Sequence, residues 1–97
     1  MADFILLMHA DGGTESGADW TAYFDLLEAS GQFRGGSAIG AGGSFRRGDA
    51  GPPGAIPLTG YIRVEADSLE AAQVFLIGNP VFEAGGTVEI RELPRSA

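Results

Sequence analysis

Two segments of this chain alternate apolar and ionic residues with a period of two. In Leu58 to Ala66, Ile62 and Val64 fall on one side, with Tyr61, Arg63 and Glu65 on the other. In Thr87 to Leu93, Val88 and Ile90 oppose Glu89 and Arg91. Successive strand side chains point to opposite faces, so this pattern dictates strands with one apolar and one ionic face. A sheet of such strands is antiparallel and covered by helices on one side only. At 97 residues the chain has the length of a single domain, residues 1–97, with one modest core.

The remaining elements fit between these strands. Phe4 to Met8 is a continuous apolar run that suits a strand covered on both faces, ending at His9-Ala10-Asp11-Gly12-Gly13. Ser16, with Asp19 three residues on, makes a helix N-terminus. Trp20, Tyr23, Phe24 and Leu27 then recur at i, i+3, i+4 and i+7, predicting a helix over Gly17 to Ser30 closed by Gly31. These aromatic residues read as helix core, not as a stacking platform. Phe33 to Gly40 and Ser44 to Arg47 have the makings of strands, both weakened by glycine. Gly48 to Pro57, with Pro52, Pro53 and Pro57, reads as a loop. Asp67 and Glu70 open a second helix, about Ser68 to Ile77, with Leu69, Ala72 and Leu76 inward and Phe75 beside them. Gly78-Asn79-Pro80 stops it.

The order is therefore β-α-β-β-α-β, a ferredoxin-like α+β fold with an antiparallel sheet and two helices on one face. The other face carries Tyr61, Arg63, Glu65, Glu89 and Arg91 with half of Phe4 to Met8. Such a mixture is neither ordinary solvent surface nor core, and a second copy is its simplest cover. A homodimer with facing sheets and a cleft beside them is expected.

Composition removes several functions. There is no Cys, hence no disulfide, thiolate metal site or thiol nucleophile. Thirteen acidic residues against six basic ones give a charge of −7, which argues against nucleic acid. No apolar run approaches the roughly 20 residues of a membrane span, and no basic segment precedes the first strand. A cytoplasmic protein without membrane contact is expected. Gly40-Ala41-Gly42-Gly43-Ser44 lacks the third glycine of a dinucleotide loop, since position 45 is Phe45, and no Lys exists for a phosphate loop. Asp3, Asp11 and Asp49 match no calcium loop. No cofactor and no metal site are expected.

What remains is a short set of candidates. His9 is the only His and the one side chain that exchanges protons near neutral pH without a large shift. Asp11, two residues on, shares its face if the strand continues, where a carboxylate would orient the imidazole for general acid or base work. The alternative is a His bonded locally at a strand end, with Asp11 serving the Gly12-Gly13 turn. Tyr61, Arg63 and Arg91, with Glu65 and Glu89, either line a cleft for a small anion or pair across strands to hold the sheet and dimer in register. Arg46 and Arg47 are a solvated pair beside the loop, or close over a ligand.

Three parts of the chain are familiar: Phe4-Ile5-Leu6-Leu7-Met8-His9 followed by Trp20 and Tyr23, Gly60 to Ala72, and Gly78-Asn79-Pro80-Val81-Phe82-Glu83-Ala84-Gly85-Gly86-Thr87-Val88-Glu89-Ile90-Arg91. Together they resemble the YCII-related family, including its DGPF-type branch, over nearly the whole chain. The resemblance implies a dimeric α+β barrel of ferredoxin-like subunits. It implies little chemistry: the family is mostly of unknown function, some members being taken for enzymes with a His–Asp pair in the cleft. The DGPF tetrapeptide is absent here; Asp49-Ala50-Gly51-Pro52-Pro53 only echoes it. The extra histidines of the smaller YCII-type proteins are missing too. Three functions follow: a small enzyme moving a proton on a small anionic organic molecule, with His9 as base and Arg63 or Arg91 as anchor; a non-catalytic small-molecule binding module; and a structural homodimer or accessory subunit. The last needs an exposed patch on the helices, where Asp25, Glu28, Ala71 and Gln73 offer none.

Overall fold

The computed structural model describes residues 1–48 and 54–95. Strand β1 (Ala2–His9) leads to helix α1 (Gly17–Ser30), then β2 (Phe33–Ala38) and β3 (Leu58–Ala66). Helix α2 (Leu69–Ala72) continues as a 3₁₀ turn (Gln73–Leu76), and a short helix α3 (Pro80–Glu83) precedes β4 (Val88–Leu93). The four strands form one antiparallel sheet in the order β2-β3-β1-β4. This is the ferredoxin-like arrangement. Among the described residues, no helix is long and apolar enough to cross a membrane.

One face of the sheet holds the core. Phe4, Leu6 and Met8 from β1 and Ile62, Val64 and Ala66 from β3 meet Tyr23 and Leu27 of α1, Ala72, Phe75, and Val81 of α3. Each large apolar side chain so buried contributes about 1.5–3 kcal/mol. The Tyr23 hydroxyl donates to the Phe75 carbonyl at 2.6 Å, so the one polar atom of that ring enters the core satisfied.

The helix ends follow their local chemistry. Ser16 Oγ accepts from the Asp19 amide at 3.1 Å, and Gly31 closes α1 at φ 70°, a left-handed conformation natural to glycine. The cap of α2 is Ser68, whose Oγ accepts from the Ala71 amide at 3.0 Å, in place of the expected Asp67. The second helix also tightens after Ala72, which changes its period from 3.6 toward 3. Ala72 and Phe75 therefore face inward, while Leu69, expected there, is half exposed.

Other expectations change as well. Phe24 lies at the edge of the α1 stripe and is 40% exposed; Tyr23 and Leu27 form its centre. Ser44 to Arg47 forms no strand. Strand β1 is longer than Phe4 to Met8 and is buried on one face only, with Ile5 and Leu7 half-buried on the other. Helix α3 is an element that the expected order lacks. Its start is written in Asn79 and Pro80: the Asn79 side chain accepts from the Val81 and Phe82 amides at 3.0 and 3.1 Å, and Pro80 holds the first helical position. Asp49, Pro52 and Pro53 lie outside the described residues.

Candidate active site

The strand register decides which side chains meet on the face turned away from the helices. Leu7 of β1 stands between Tyr61 of β3 and Glu89 of β4, and Ile5 stands between Arg63 and Arg91. Asp3 stands between Glu65 and Leu93. Paired residues in antiparallel strands share a face. Tyr61, Arg63, Glu65, Glu89 and Arg91 thus share the open face, as the alternation predicts, around an apolar spine of Ile5 and Leu7. Arg63 and Arg91 sit two strand spacings apart, about 10 Å at the backbone.

His9 lies at the end of β1 where the β1–β3 register shifts, its amide held by the Thr87 carbonyl at 2.9 Å. Its ring is 14% exposed, and Nε2 lies 3.1 Å from Glu89 Oε1. The carboxylate accepts, so Nε2 carries a proton, and in the neutral tautomer Nδ1 is the ring's acceptor. The other Glu89 oxygen, Oε2, takes the Arg91 Nε–H at 2.7 Å. The Arg91 guanidinium first, and His9 second, hold the Glu89 carboxyl below its ordinary range. Glu89 is thereby an ionised bridge between imidazole and guanidinium, able to stabilise His9 after proton uptake.

Asp11 takes a different place from the one its spacing suggests. The strand ends at His9, and the Asp11 carboxylate turns to Thr87, accepting from its amide at 2.7 Å and its hydroxyl at 2.6 Å. These bonds hold the Asp11 carboxyl below its ordinary value, the Thr87 hydroxyl contributing most. Asp11 therefore clasps the loop after β1 to the residue before β4, and the carboxylate on His9 is that of Glu89. The alternation places Glu89 among the cleft residues, but nothing local joins it to His9, 80 residues away. The one signal in the sequence is its position two residues from Arg91 on the same face of the alternating strand.

At the far end of the face the ionic groups close on one another. Arg95 binds Asp3 through two contacts at 2.8 and 3.0 Å and reaches Glu65 at 3.4 Å. Arg34 binds Glu65 at 3.1 Å. Arg63 forms no ion pair among the described residues. The face thus presents one imidazole, one guanidinium without an ion pair among the described residues and one shared guanidinium around an apolar floor.

No family model matches the sequence, and no curated protein does. Among solved structures, the chain is similar in fold to TftG, the 5-chloro-2-hydroxyhydroquinone dehydrochlorinase of Burkholderia phenoliruptrix AC1100, in complex with 2,5-dihydroxybenzoquinone. The TM-score is 0.58 over 97% of this chain and 95% of that one, at 15% identity. The likeness is one of fold, and it agrees with the ferredoxin-like subunit that the YCII-related resemblance implies.

Proposed function

We propose that this chain is a YCII-related protein that pairs through its open sheet face and transfers a proton to or from a small anionic organic molecule bound there. The observation that carries this reading is the Arg91–Glu89–His9 bridge. It fixes the imidazole, keeps its carboxylate partner ionised and leaves Nδ1 as the acceptor of the neutral tautomer. Arg63, free of ion pairs among the described residues, holds the anionic group, with Arg91 on the far side of Ile5. His9 Nδ1 takes a C–H or O–H proton from the bound molecule, whose electron pair delocalises into its carbonyl system. Glu89 balances the imidazolium until the proton returns. A second copy over Ile5, Leu7 and Tyr61 would keep water from this exchange.

That a protein of similar fold is seen with 2,5-dihydroxybenzoquinone supplies a probe. In deuterated buffer, its ring C–H signal is expected to decay about 10²-fold faster with the protein than without it. His9→Ala abolishes the acceleration while binding persists, and Arg63→Ala weakens binding. Saturable binding with equal exchange by the native chain and His9→Ala removes proton transfer and leaves the binding module. An absence of binding, with a dimer still present in sedimentation, leaves the structural homodimer.

A further inference from the structure

On the helix side of the sheet, between α1 and the β2–β3 edge, lies a cavity of about 370 Å³. It is separate from the His9–Glu89 bridge, which stands on the opposite face. The cavity exists because β2 beyond Phe33 supplies little to fill it. Where a helix-covered strand would carry large apolar residues, β2 reads Gly35-Gly36-Ser37-Ala38. Gly36 admits no side chain at all, since a Cβ there would run into the Tyr61 carbonyl oxygen. Gly60 opposite is also tight: its Cβ would stand 3.1 Å from both the Met8 methyl and the Ser37 carbonyl oxygen. The glycines hold the two strands close and leave a flat backbone wall.

The facing wall is aromatic. Trp20 and Phe24 of α1 lie with ring centroids 5.7 Å apart and tilted by 32°, and Phe33, at the start of β2, closes the end of this wall 6.0 Å from Phe24. Met8 and Ile62 form the floor. A flat backbone wall opposed to tilted aromatic rings selects a planar ring, and the volume suits a one- or two-ring molecule. The lining carries one charged side chain, Glu15. Its Oε1 accepts the Trp20 indole N–H at 2.8 Å, which orients the carboxylate along the aromatic wall. The second oxygen has no hydrogen-bond partner among the described residues and can accept from a guest, and a cation there also gains from the ring faces beside it.

We propose that this cavity is a binding site for a small arylalkylamine, its planar ring between the Trp20–Phe24 wall and the β2 backbone and its side-chain ammonium on Glu15. The anionic character of the chain as a whole favours the same guest.

Trp20 is the only Trp, so its emission reports occupancy directly. Three probes of matched ring size separate the contributions: tyramine, neutral 4-ethylphenol and anionic 4-hydroxyphenylacetate. Tyramine is expected to change Trp20 emission saturably, with 4-ethylphenol about tenfold weaker and 4-hydroxyphenylacetate weaker still. Glu15→Gln, in an exposed loop and able to keep the indole contact, brings tyramine down to the level of 4-ethylphenol. Phe24→Leu weakens both, and His9→Ala changes neither, which keeps this site distinct from the proton-transfer face. The proposal is overturned if tyramine and 4-ethylphenol bind equally, if Glu15→Gln leaves their ratio unchanged, or if none of the three gives a saturable response. The last result would mean that another part of the protein, or a second copy, fills the cavity.

Discussion

Leu6 and Leu7 are neighbours in one strand, and the molecule treats them oppositely. Leu6 is fully buried among Tyr23, Leu27 and Val81. Leu7 is half-buried on the open face between Tyr61 and Glu89. The helix side is stabilised by apolar burial inside the subunit. The open side is held in order by charges that neutralise each other around an apolar spine. Charge separates the two layers again: the helices carry Asp19, Asp25, Glu28, Glu70 and Glu83 and no basic residue. On or beside the open face, Asp3, Glu65 and Glu89 meet Arg34, Arg63, Arg91 and Arg95, three carboxylates against four guanidiniums. The net charge of −7 is therefore concentrated on the helices. Two helix layers would repel each other strongly, whereas two open faces, each close to neutral, would repel far less. That asymmetry supports pairing through the sheet.

The sharpest way to break the comparison is to truncate both leucines. Leu6→Ala is expected to cost about 2–5 kcal/mol in chemical denaturation, because the packed core cannot close over the space. Leu7→Ala in dilute protein is expected to cost under about 1.5 kcal/mol, its loss falling on association instead. Leu7→Asp should move sedimentation equilibrium to the monomer while leaving the circular dichroism of the subunit unchanged. Equal stability losses for the two alanine variants would show that the faces are not energetically distinct.

Asn79 is the next largest expected effect. It is fully buried, its amide oxygen caps two α3 amides, and its Nδ2 reaches Met8 Sδ at 3.6 Å. Asn79→Ala leaves buried donors unmet and is expected to cost about 2–3 kcal/mol. Ser16→Ala removes the exposed cap of α1 and is expected to cost about 1 kcal/mol, measured in the same denaturation series.

These sites also show where a sequence reading stops. Local rules suffice for α1, because its cap, stripe and closing glycine lie within 16 residues of one another. They suffice for the faces of β3 and β4, because alternation is a local signal. They fail at Leu69, where the inward face depends on a helix tightening against the sheet. They fail at Asp11, which is two residues from His9 yet bonds to Thr87, 76 positions away. The Glu89 carboxylate reaches His9 only once β4 has paired with β1 in its actual register. The site is a product of strand pairing, and strand pairing is non-local. The cavity beside Trp20 is the converse case: its glycines are visible in β2, but what they leave empty is set by the helix packed above them.

The smallest expected effect tests whether the clasped carboxylates act as a set. Glu89, Asp11 and Asp3 each have a carboxyl held below its ordinary value, by Arg91, Thr87 and Arg95 respectively. A carboxyl with a depressed folded-state pKa binds fewer protons in the folded chain than in the unfolded one, so stability rises with pH through that window. The contribution is fully present above about pH 5 and is lost as the pH falls through the folded-state values, below about pH 4. Stability measured between neutral pH and pH 3 should therefore hold level and then decline. Glu89→Gln is expected to make that decline shallower with little change at neutral pH, because Glu89 is an accessible pair partner whose charge is screened by solvent. The same variant deprives the imidazole of its counter-charge, so it should slow any His9-dependent proton exchange far more than it alters stability. A Glu89→Gln chain that loses stability at neutral pH yet keeps its exchange rate would make the bridge a structural clamp, and the open face an interface without chemistry.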